Sequence, residues 1–379
     1  MSFPEEPLDL PPSEGGGYYP ASIHQTLDGG NYEVVRKLGY GPRSSTWLVF
    51  TPNDPGYLAV KIFTVAASER AQAVDLPVSQ EVNKLSPGLR LPRFHGSFWE
   101  RSSAGLHLCF VSNPCSTSIQ HLRLSAPERR LPAHVVQRIV YFVANALRGL
   151  HAAGIMHGAI KADNIRFVTS VDLGFLKQVL DSEPPPTLVQ VGQYTTVQSQ
   201  PLSHSFKWNN RRKLVADWPL HLANLGHAQR SVYQPEKDVD YFGAPETLLH
   251  SASCSLQTDI WMLGSLAYEL LTGNSPFPRH PNKDVAAQML TMSAALEDDP
   301  PEAWLSDEHL RGFDPKAQDS NATSINAGLA YALHKDDANA AARFIKSCLR
   351  LDPSKRLTAK ECMNHVWLSE ANACSCGFC

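Results

Sequence analysis

Alternating apolar and polar positions near the start of the chain predict β-strands. The alternation is clear over residues 32–38, 46–50 and 58–63, and a Pro-Asn-Asp-Pro-Gly turn signal separates the last two stretches. Residues 106–111 form a further apolar stretch of strand length. Together these stretches predict an antiparallel meander.

Helical spacing replaces this alternation beyond Pro132, a residue that suits the start of a helix. Apolar side chains recur at three- and four-residue intervals over residues 135–150. A weaker helical pattern covers residues 68–85 and is interrupted at Pro77. Later helices are predicted over residues 258–271, 338–351 and 358–365.

This order of elements predicts the α+β class with two lobes, a small β-rich N-lobe and a larger helical C-lobe. We expect the N-lobe at residues 31–112 and the C-lobe at residues 116–369, because Pro114 breaks the strand between them. Residues 1–30 are rich in Pro, Gly and Ser and are expected to form a disordered N-terminal arm. A long segment at about residues 170–216 is interpreted as a surface insertion.

Composition narrows the classes of function. The chain has 379 residues, of which 43% are hydrophobic and 19% charged, as in soluble globular proteins. Its net charge of −3 gives no reason to expect direct nucleic-acid binding. The chain has no run of about 18 apolar residues, so we expect no transmembrane segment. The start of the chain lacks a secretory signal, so we expect a cytoplasmic or nuclear protein with reduced thiols, including those of a Cys-rich tail at residues 370–379.

Two features of the predicted N-lobe suit a phosphate ligand. Gly39, Gly41 and Ser44 lie between the first two strands as candidate nucleotide-binding residues, and glycines let a backbone turn approach phosphates closely. Lys61 lies among apolar residues of the third strand, where it can present a fixed positive charge. Taken alone, these features fit a plain hairpin turn and a surface lysine equally well.

Six short segments occur in an order that resembles the protein kinase superfamily. They are Ala-Val-Lys at residues 59–61, His-Gly-Ala-Ile-Lys-Ala-Asp-Asn at 157–164, Asn-Leu-Gly at 224–226, Gly-Ala-Pro-Glu at 243–246, Thr-Asp-Ile-Trp-Met-Leu-Gly at 258–264 and Leu-Asp-Pro-Ser-Lys-Arg at 351–356. The chain most resembles the SR-protein-kinase-like group of Ser/Thr kinases, especially its fungal members, over about residues 18–369. His-Gly in the second segment also resembles small-molecule phosphotransferases, but the Ala-Pro-Glu segment favours the protein kinases.

The resemblance implies a bilobal fold, ATP as the cosubstrate and Ser or Thr of proteins as the substrate. It implies that Lys61 holds nucleotide phosphates and pairs with Glu81, and that Lys161 belongs to the catalytic loop. It also implies a buried ion pair between Glu246 and Arg356 that supports the fold.

Two departures from the kinase pattern remove charged groups. Ala159 stands where the resemblance places the catalytic base, and the loss of a positioned base typically costs about 10²- to 10⁴-fold in rate. Asn224 stands where a metal-binding aspartate is expected, which leaves Asn164 and Asn224 as neutral candidate ligands. Hard divalent cations prefer carboxylates, so we expect weak Mg²⁺ binding. Asp163 is a nearby carboxylate that we expect to point elsewhere.

Three further positions bear on ligands and regulation. Arg43 replaces a usual aromatic residue in the glycine-rich turn and could neutralise phosphate or face solvent. Gly158 replaces the arginine with which many kinases sense an activation-loop phosphate, so regulation by that route is not expected. The acidic run at residues 297–299 could line a docking groove for basic substrates or form a solvated turn.

The sequence therefore predicts a pseudokinase of the SR-protein-kinase type, which binds protein partners and takes ATP as a candidate ligand. One alternative is a weakly active ATP-dependent Ser/Thr kinase that relies on positioning or on Asp163. Another is a binding module without a nucleotide site.

Overall fold

The structure is a computed structural model that describes residues 4–85, 87–169, 172–236, 239–278, 284–314 and 322–372. The chain divides into two compact units. Unit 1 comprises residues 1–85, 91–117 and 166–205, and unit 2 comprises residues 86–90, 118–165 and 206–379. Of the predicted Cys-rich tail, residues 373–379 lie outside the described residues.

Strands predominate in unit 1 and helices in unit 2. The strands are β1 (Thr26–Leu27), β2 (Tyr32–Gly41), β3 (Ser44–Phe50), β4 (Tyr57–Phe63), β5 (Phe94–Ser102), β6 (Gly105–Ser112), β7 (Cys115–Ser118), β8 (Ile155–Met156), β9 (Ile165–Val168), β10 (Leu188–Val191), β11 (Tyr194–Val197), β12 (Leu220–Leu222) and β13 (Gln229–Arg230). The helices are α1 (Val65–Arg70), α2 (Leu76–Val82), α3 (Ile119–Leu124), α4 (Ala133–Ala152), α5 (Leu173–Ser182), α6 (Arg212–Val215), α7 (Leu256–Thr272), α8 (Val285–Leu296), α9 (Ile325–Ala332), α10 (Lys335–Cys348) and α11 (Ala359–Met363).

Unit 1 is built on a six-stranded antiparallel sheet with strand order β1-β2-β3-β4-β6-β5. The predicted strands are β2, β3, β4 and β6, and β5 completes the sheet. One face packs into a hydrophobic core that contains Val34, Trp47 and Val60, each fully buried. The alternation read from the sequence therefore corresponds to one buried sheet face.

The N-terminal arm differs from the predicted disordered segment. Lys37 of β2 is fully buried, and its ammonium donates hydrogen bonds to the carboxylates of Glu5 and Glu6. A buried ammonium requires paired charges, so the arm is held where it supplies them. Tyr19 adds its ring to the sheet core, and β1 pairs with β2.

The segment predicted as a surface insertion forms its own elements. Residues 166–205 belong to unit 1 and include α5 and the β10–β11 hairpin. Leu176 and Leu202 are fully buried against Leu48 of β3. Glu183 also forms an ion pair with Arg36 of β2. Apolar burial and one ion pair therefore attach this segment to the sheet.

The helical pattern over residues 68–85 contains a π turn at Ala71–Asp75 between α1 and α2. Pro77 follows directly on the π turn and has no amide proton to donate to the preceding helical turn, so the irregularity lies where the sequence places the interruption. A π turn adds one residue to a helical turn, so the residues after it lie on a different face from that of a regular helix.

Unit 2 packs its helices around α7, in which fourteen of seventeen residues are buried. Ser255 and Thr258 form a capping box at the start of α7, and Gly273 ends it in a left-handed conformation with φ 80°. Helix α7 contacts α4, α9 and α10. Among the described residues, no helix combines the length and apolarity that spanning a membrane requires.

Candidate functional site

The glycine-rich turn lies at the tip of the β2–β3 hairpin in unit 1. Gly41 pairs with Ser44, and an added Cβ at Gly39 or Gly41 would meet no atom within 4 Å. Packing therefore does not require glycine there, which leaves room for a ligand. The hydroxyl of Tyr18 donates a hydrogen bond to the carbonyl oxygen of Gly41 at 2.9 Å. Ser44, a predicted ligand-binding residue, is largely buried.

Lys61 lies on β4, opposite Thr46 of β3 and Phe110 of β6. Its Nζ lies 4.8 Å from the ring centroid of Phe63. Removal of the ammonium from water lowers its pKa to about 8, although the nearby carboxylate of Asp75 opposes that shift. Lys61 is therefore mostly protonated at neutral pH and forms no ion pair among the described residues.

The predicted ion pair between Lys61 and Glu81 is wrong. Glu81 lies on α2 and pairs with Lys84 at 3.2 Å. The π turn before α2 changes the face that Glu81 occupies. The carboxylate that affects Lys61 belongs instead to buried Asp75, at the end of that turn.

Arg43 of the glycine-rich turn is partly buried and forms an ion pair. Its guanidinium lies 3.0 Å from Oδ2 of Asp75, whose Oδ1 lies 3.1 Å from Arg70. The side chain of Arg43 is 26% exposed. The sequence pattern does not indicate Asp75, because only the π turn brings this residue toward the glycine-rich turn and Lys61.

In unit 2, the backbone of the loop at residues 157–164 is held by Asp259 of α7. The Asp259 carboxylate accepts hydrogen bonds from the amides of His157 at 2.7 Å and Gly158 at 2.9 Å. His151 lies 3.0 Å from the same carboxylate. The loop scaffold of the predicted site is therefore intact.

His157 is fully buried and neutral at physiological pH, because burial lowers its pKa to about 4. Its Nδ1 accepts a hydrogen bond from the Ala159 amide at 3.2 Å, and its Nε2 donates to the carbonyl oxygen of Ala223 at 3.2 Å. Gly158 has φ 71°, and a Cβ there would lie 2.5 Å from the carbonyl oxygen of His227. An arginine at position 158 would therefore strain the loop.

Ala159, Asn164 and Asn224 lie together in unit 2. The Asn164 amide donates to the carbonyl oxygen of Ala159 at 2.8 Å, and its Oδ1 accepts from the Asn224 amide at 3.2 Å. Asn164 is 5% exposed, so these bonds satisfy a buried side chain. Lys161 and Asp163 point to the surface, and both are exposed.

These residues are a poor fit for Mg²⁺. None of the three positions carries a carboxylate, and Oδ1 of Asn164 already accepts a hydrogen bond from the Asn224 amide. Divalent cations such as Mg²⁺ bind best to carboxylates and phosphates. Lys61 and the glycine-rich turn, in contrast, fit an anionic ligand. The side chains of the turn and Lys61 in unit 1 therefore suit phosphate groups, whereas the three positions in unit 2 do not suit the metal.

Unit 2 contains the predicted ion pair between Glu246 and Arg356 and the acidic run at residues 297–299. Arg356 donates two hydrogen bonds to the buried Glu246 carboxylate, at 2.8 and 2.7 Å, which confirms the predicted ion pair. The acidic run at residues 297–299 is largely engaged, since Asp298 accepts from Arg350 and from the Leu351 amide. Glu297 pairs with Lys346 at 2.7 Å, so two of the three carboxylates have cationic partners.

Comparison with known proteins places this geometry in a family context. The family model described as "Protein kinase domain" matches residues 215–368. A crystallised kinase domain aligns with a TM-score of 0.65 at 18% identity, and the alignment covers 93% of this chain and 99% of that one. The chain therefore has the bilobal protein-kinase fold, as the sequence predicts.

Two relatives extend over nearly the whole chain at low identity, and a third matches a shorter part. A Ser/Thr protein kinase of Aspergillus fumigatus is 25% identical over 95% of this chain and 89% of its own length. The Ser/Thr protein kinase SRPK of Physarum polycephalum is 22% identical over 94% and 89%, respectively. SRSF protein kinase 3 of Mus musculus is 30% identical over 40% of this chain and 27% of its own length.

Proposed function

We propose that this protein kinase domain, related to the SR-protein kinases, is a pseudokinase that acts by binding other proteins and uses ATP as a stabilising ligand. One observation carries the proposal. The buried amide of Asn164 is satisfied by Ala159 on one side and Asn224 on the other. This hydrogen-bonded chain occupies the positions at which an active kinase needs a base and charged metal ligands.

The absence of a catalytic base at position 159 supports the proposal that phosphoryl transfer is slow. Ala159 has no atom that accepts a proton from a substrate hydroxyl, and a positioned base typically contributes about 10²- to 10⁴-fold. Asp163 is the nearest carboxylate in the loop, but its side chain is exposed while Ala159 is buried. Rescue by Asp163 would require the loop to rearrange against the Asp259 hydrogen bonds.

Retention of the phosphate-binding groups supports a role for nucleotide. Lys61 keeps a charge at neutral pH without an ion-pair partner among the described residues. Gly39 and Gly41 leave open space beside the hairpin tip. A phosphate group would give Lys61 the direct ion-pair partner that it lacks among the described residues. ATP binding that does not depend on Mg²⁺ is the expected consequence.

Proteins are the proposed partners, in the cytoplasm or the nucleus. The printed names of the relatives are those of Ser/Thr protein kinases. A kinase domain that has lost catalysis can still use its C-lobe to bind proteins. The net charge of −3 supports no direct nucleic-acid partner.

Two measurements on the full chain test the proposal. The first follows transfer of radiolabelled phosphate to an Arg-Ser peptide with Mg²⁺ or Mn²⁺. We expect no turnover above background, and turnover that disappears in Lys61→Ala would overturn the proposal. The second measures the melting temperature with ATP, with and without Mg²⁺. A bound ligand stabilises the native state by mass action, so we expect ATP alone to raise it.

A weakly active Ser/Thr kinase is the second candidate, favoured by the exposed Lys161 and the intact loop scaffold around Asp259. Phosphoryl transfer relies strongly on positioning, so residual activity is physically reasonable. The phosphate-transfer assay on the parent chain separates the candidates, because only a weak kinase would show turnover that Lys61→Ala abolishes. A binding module without a nucleotide site would show no melting shift at millimolar ATP.

A further inference from the structure

Two short segments far apart in the sequence bring two imidazoles and a carboxylate together on the surface of unit 2. The side chains are those of His250, Glu308 and His309, and one ligand atom of each lies within 4.8 Å of the other two. His250 follows the Ala-Pro-Glu segment, and the other two residues lie in a 3₁₀ turn after α8. We propose that these three residues bind a zinc ion.

The backbone on both sides of this cluster is fixed. Asp307 accepts hydrogen bonds from the His250 amide at 3.1 Å and from the His309 amide at 2.9 Å, so one carboxylate joins the two segments. Leu249 and Leu310, next to the two histidines, are 5% and 3% exposed. The segments are therefore anchored in the core while the ligand side chains point outward.

The side chains themselves have room to close around an ion. His250, Glu308 and His309 are 67%, 58% and 44% exposed, so their rotamers are not locked by packing. Four ligands in a tetrahedron about 2.0–2.1 Å from zinc lie about 3.3 Å apart. Nδ1 of His250 already lies 2.7 Å from Oε1 of Glu308, and the two imidazole centroids are 5.5 Å apart. Small side-chain rotations would reach the required geometry.

The donor set selects the type of metal. Imidazole nitrogen binds Zn²⁺ and other late transition metals, whereas Mg²⁺ and Ca²⁺ prefer oxygen alone. Two histidines with one glutamate form one of the ligand sets that hold zinc with an open fourth position. At this exposed location, water or a side chain of a bound protein would complete the coordination. The ion would also cross-link the two segments.

The test is a Zn²⁺ titration by calorimetry on the full chain, after treatment with EDTA and its removal. Tail thiolates also bind zinc, so the background is the Cys374→Ser, Cys376→Ser, Cys379→Ser variant. We expect one equivalent to bind. His250→Ala and His309→Ala should each weaken binding by at least about tenfold, because each removes one of three ligands.

His24→Ala is the matched control. His24 forms a comparable exposed pair with Glu33 at 2.8 Å, and it lies outside the three-residue cluster. We expect this variant to bind Zn²⁺ with unchanged affinity. Equal melting temperatures of all variants in EDTA would show that each is folded, as expected for exposed positions.

Two results would overturn the proposal. One is the absence of Zn²⁺ binding by the background variant, which would leave the cluster as an ordinary His–Glu surface pair. The other is binding that persists unchanged in both His250→Ala and His309→Ala, because the ion would then lie elsewhere. Substitution by Co²⁺ gives a second readout, since its visible absorption reports nitrogen and oxygen ligands directly. Zn²⁺ binding at this cluster does not depend on phosphoryl transfer.

Discussion

Asn224 donates a hydrogen bond from its side-chain amide to Oδ1 of Asn164 at 3.2 Å. An aspartate at position 224 would have no proton to donate and would face that oxygen with a negative charge. The hydrogen bond therefore requires an amide at position 224, and an ionised aspartate without a bound cation could not form it. In this chain the two neutral side chains are linked directly by that hydrogen bond.

Asn224→Asp should make the response to ATP depend on Mg²⁺. Without metal, we expect the substitution to cost about 1 kcal/mol, because one hydrogen bond is replaced by a repulsive contact. Aspartate tolerates the left-handed backbone of this residue, φ 66°, so the loop should keep its conformation. Thermal shift with ATP, in EDTA and in Mg²⁺, should show a larger shift in Mg²⁺ for the variant alone.

The control for this prediction is Asn209→Asp, an exposed position outside the site. It adds the same charge and should leave the response to Mg²⁺ unchanged. If Asn224→Asp also responds to ATP identically in EDTA and Mg²⁺, position 224 does not lie beside the nucleotide phosphates.

Introduction of carboxylates at positions 159 and 224 should raise the rate of phosphoryl transfer. Ala159→Asp supplies a base and Asn224→Asp a charged metal ligand. Each single substitution lacks one requirement, so we expect only the double variant to rise clearly, by about 10²-fold or more over the assay background. Arg-Ser peptide phosphorylation with Mg²⁺ measures the rise. A double variant that binds ATP with Mg²⁺ yet remains inactive would show that other changes also prevent catalysis.

Metal-free ATP binding should weaken as the pH rises through about 8. The pKa of Lys61 lies near that value in the free protein, so the ammonium loses its charge above it. Affinity should be nearly constant from pH 6.5 to 7.5 and then fall by up to about tenfold per pH unit. Displacement of a fluorescent ATP analogue in EDTA measures this profile.

Lys61→Met serves as the reference for the pH profile. It should bind ATP more weakly at pH 7 and lose the fall above pH 8. A parent profile that is flat to pH 9.5 would mean that Lys61 does not contact the phosphates.

Lys37→Met should destabilise unit 1 and release the N-terminal arm. The substitution leaves the carboxylates of Glu5 and Glu6 buried without their cation, at an expected cost of about 3–5 kcal/mol. Chemical denaturation measures the cost, and limited proteolysis within the arm reports its release. Lys84→Met, at an exposed pair, should change stability by less than about 1 kcal/mol. Equal effects of the two variants would contradict a buried role for Lys37.

Local patterns in the sequence predict most of the fold. Strands β2, β3 and β4 follow the alternation, and α7 begins and ends at residues with clear capping chemistry. The ion pair between Glu246 and Arg356 was also predicted, because both residues occur in recognisable motifs. Such features depend on a few neighbouring residues or on a known motif order.

Features that depend on distant partners were not predicted. The arm has the composition of a disordered segment, and only the buried Lys37 explains why its two glutamates are ordered. The sequence indicates Glu81 as the acid near Lys61, whereas the structure has Asp75 there. The difference comes from the π turn, which leaves no clear signal in the sequence. The zinc ligands join residues almost sixty positions apart, a separation that no spacing rule covers.

Acid should destabilise the protein through His157. Its pKa is about 4 in the folded protein, against about 6.5 in an unfolded chain, so the unfolded state binds more protons between these values. The free energy of unfolding should therefore fall as the pH decreases from about 6.5 to 4, by up to about 3 kcal/mol from this residue. Protonation would also break the hydrogen bond that Nδ1 accepts from the Ala159 amide, which ties this loss to the loop that carries the site.

Urea denaturation at several pH values measures the effect. His157→Gln removes the titrating ring, so it should lower stability at pH 7 and flatten the dependence between pH 6.5 and 4. His221, whose pKa burial also lowers to about 4, should contribute separately, and His221→Gln should remove a second part of the slope. A slope that His157→Gln does not alter would mean that the ring is protonated or solvated in the native protein, and the loop would then lack the neutral buried histidine on which the arrangement of Ala159 depends.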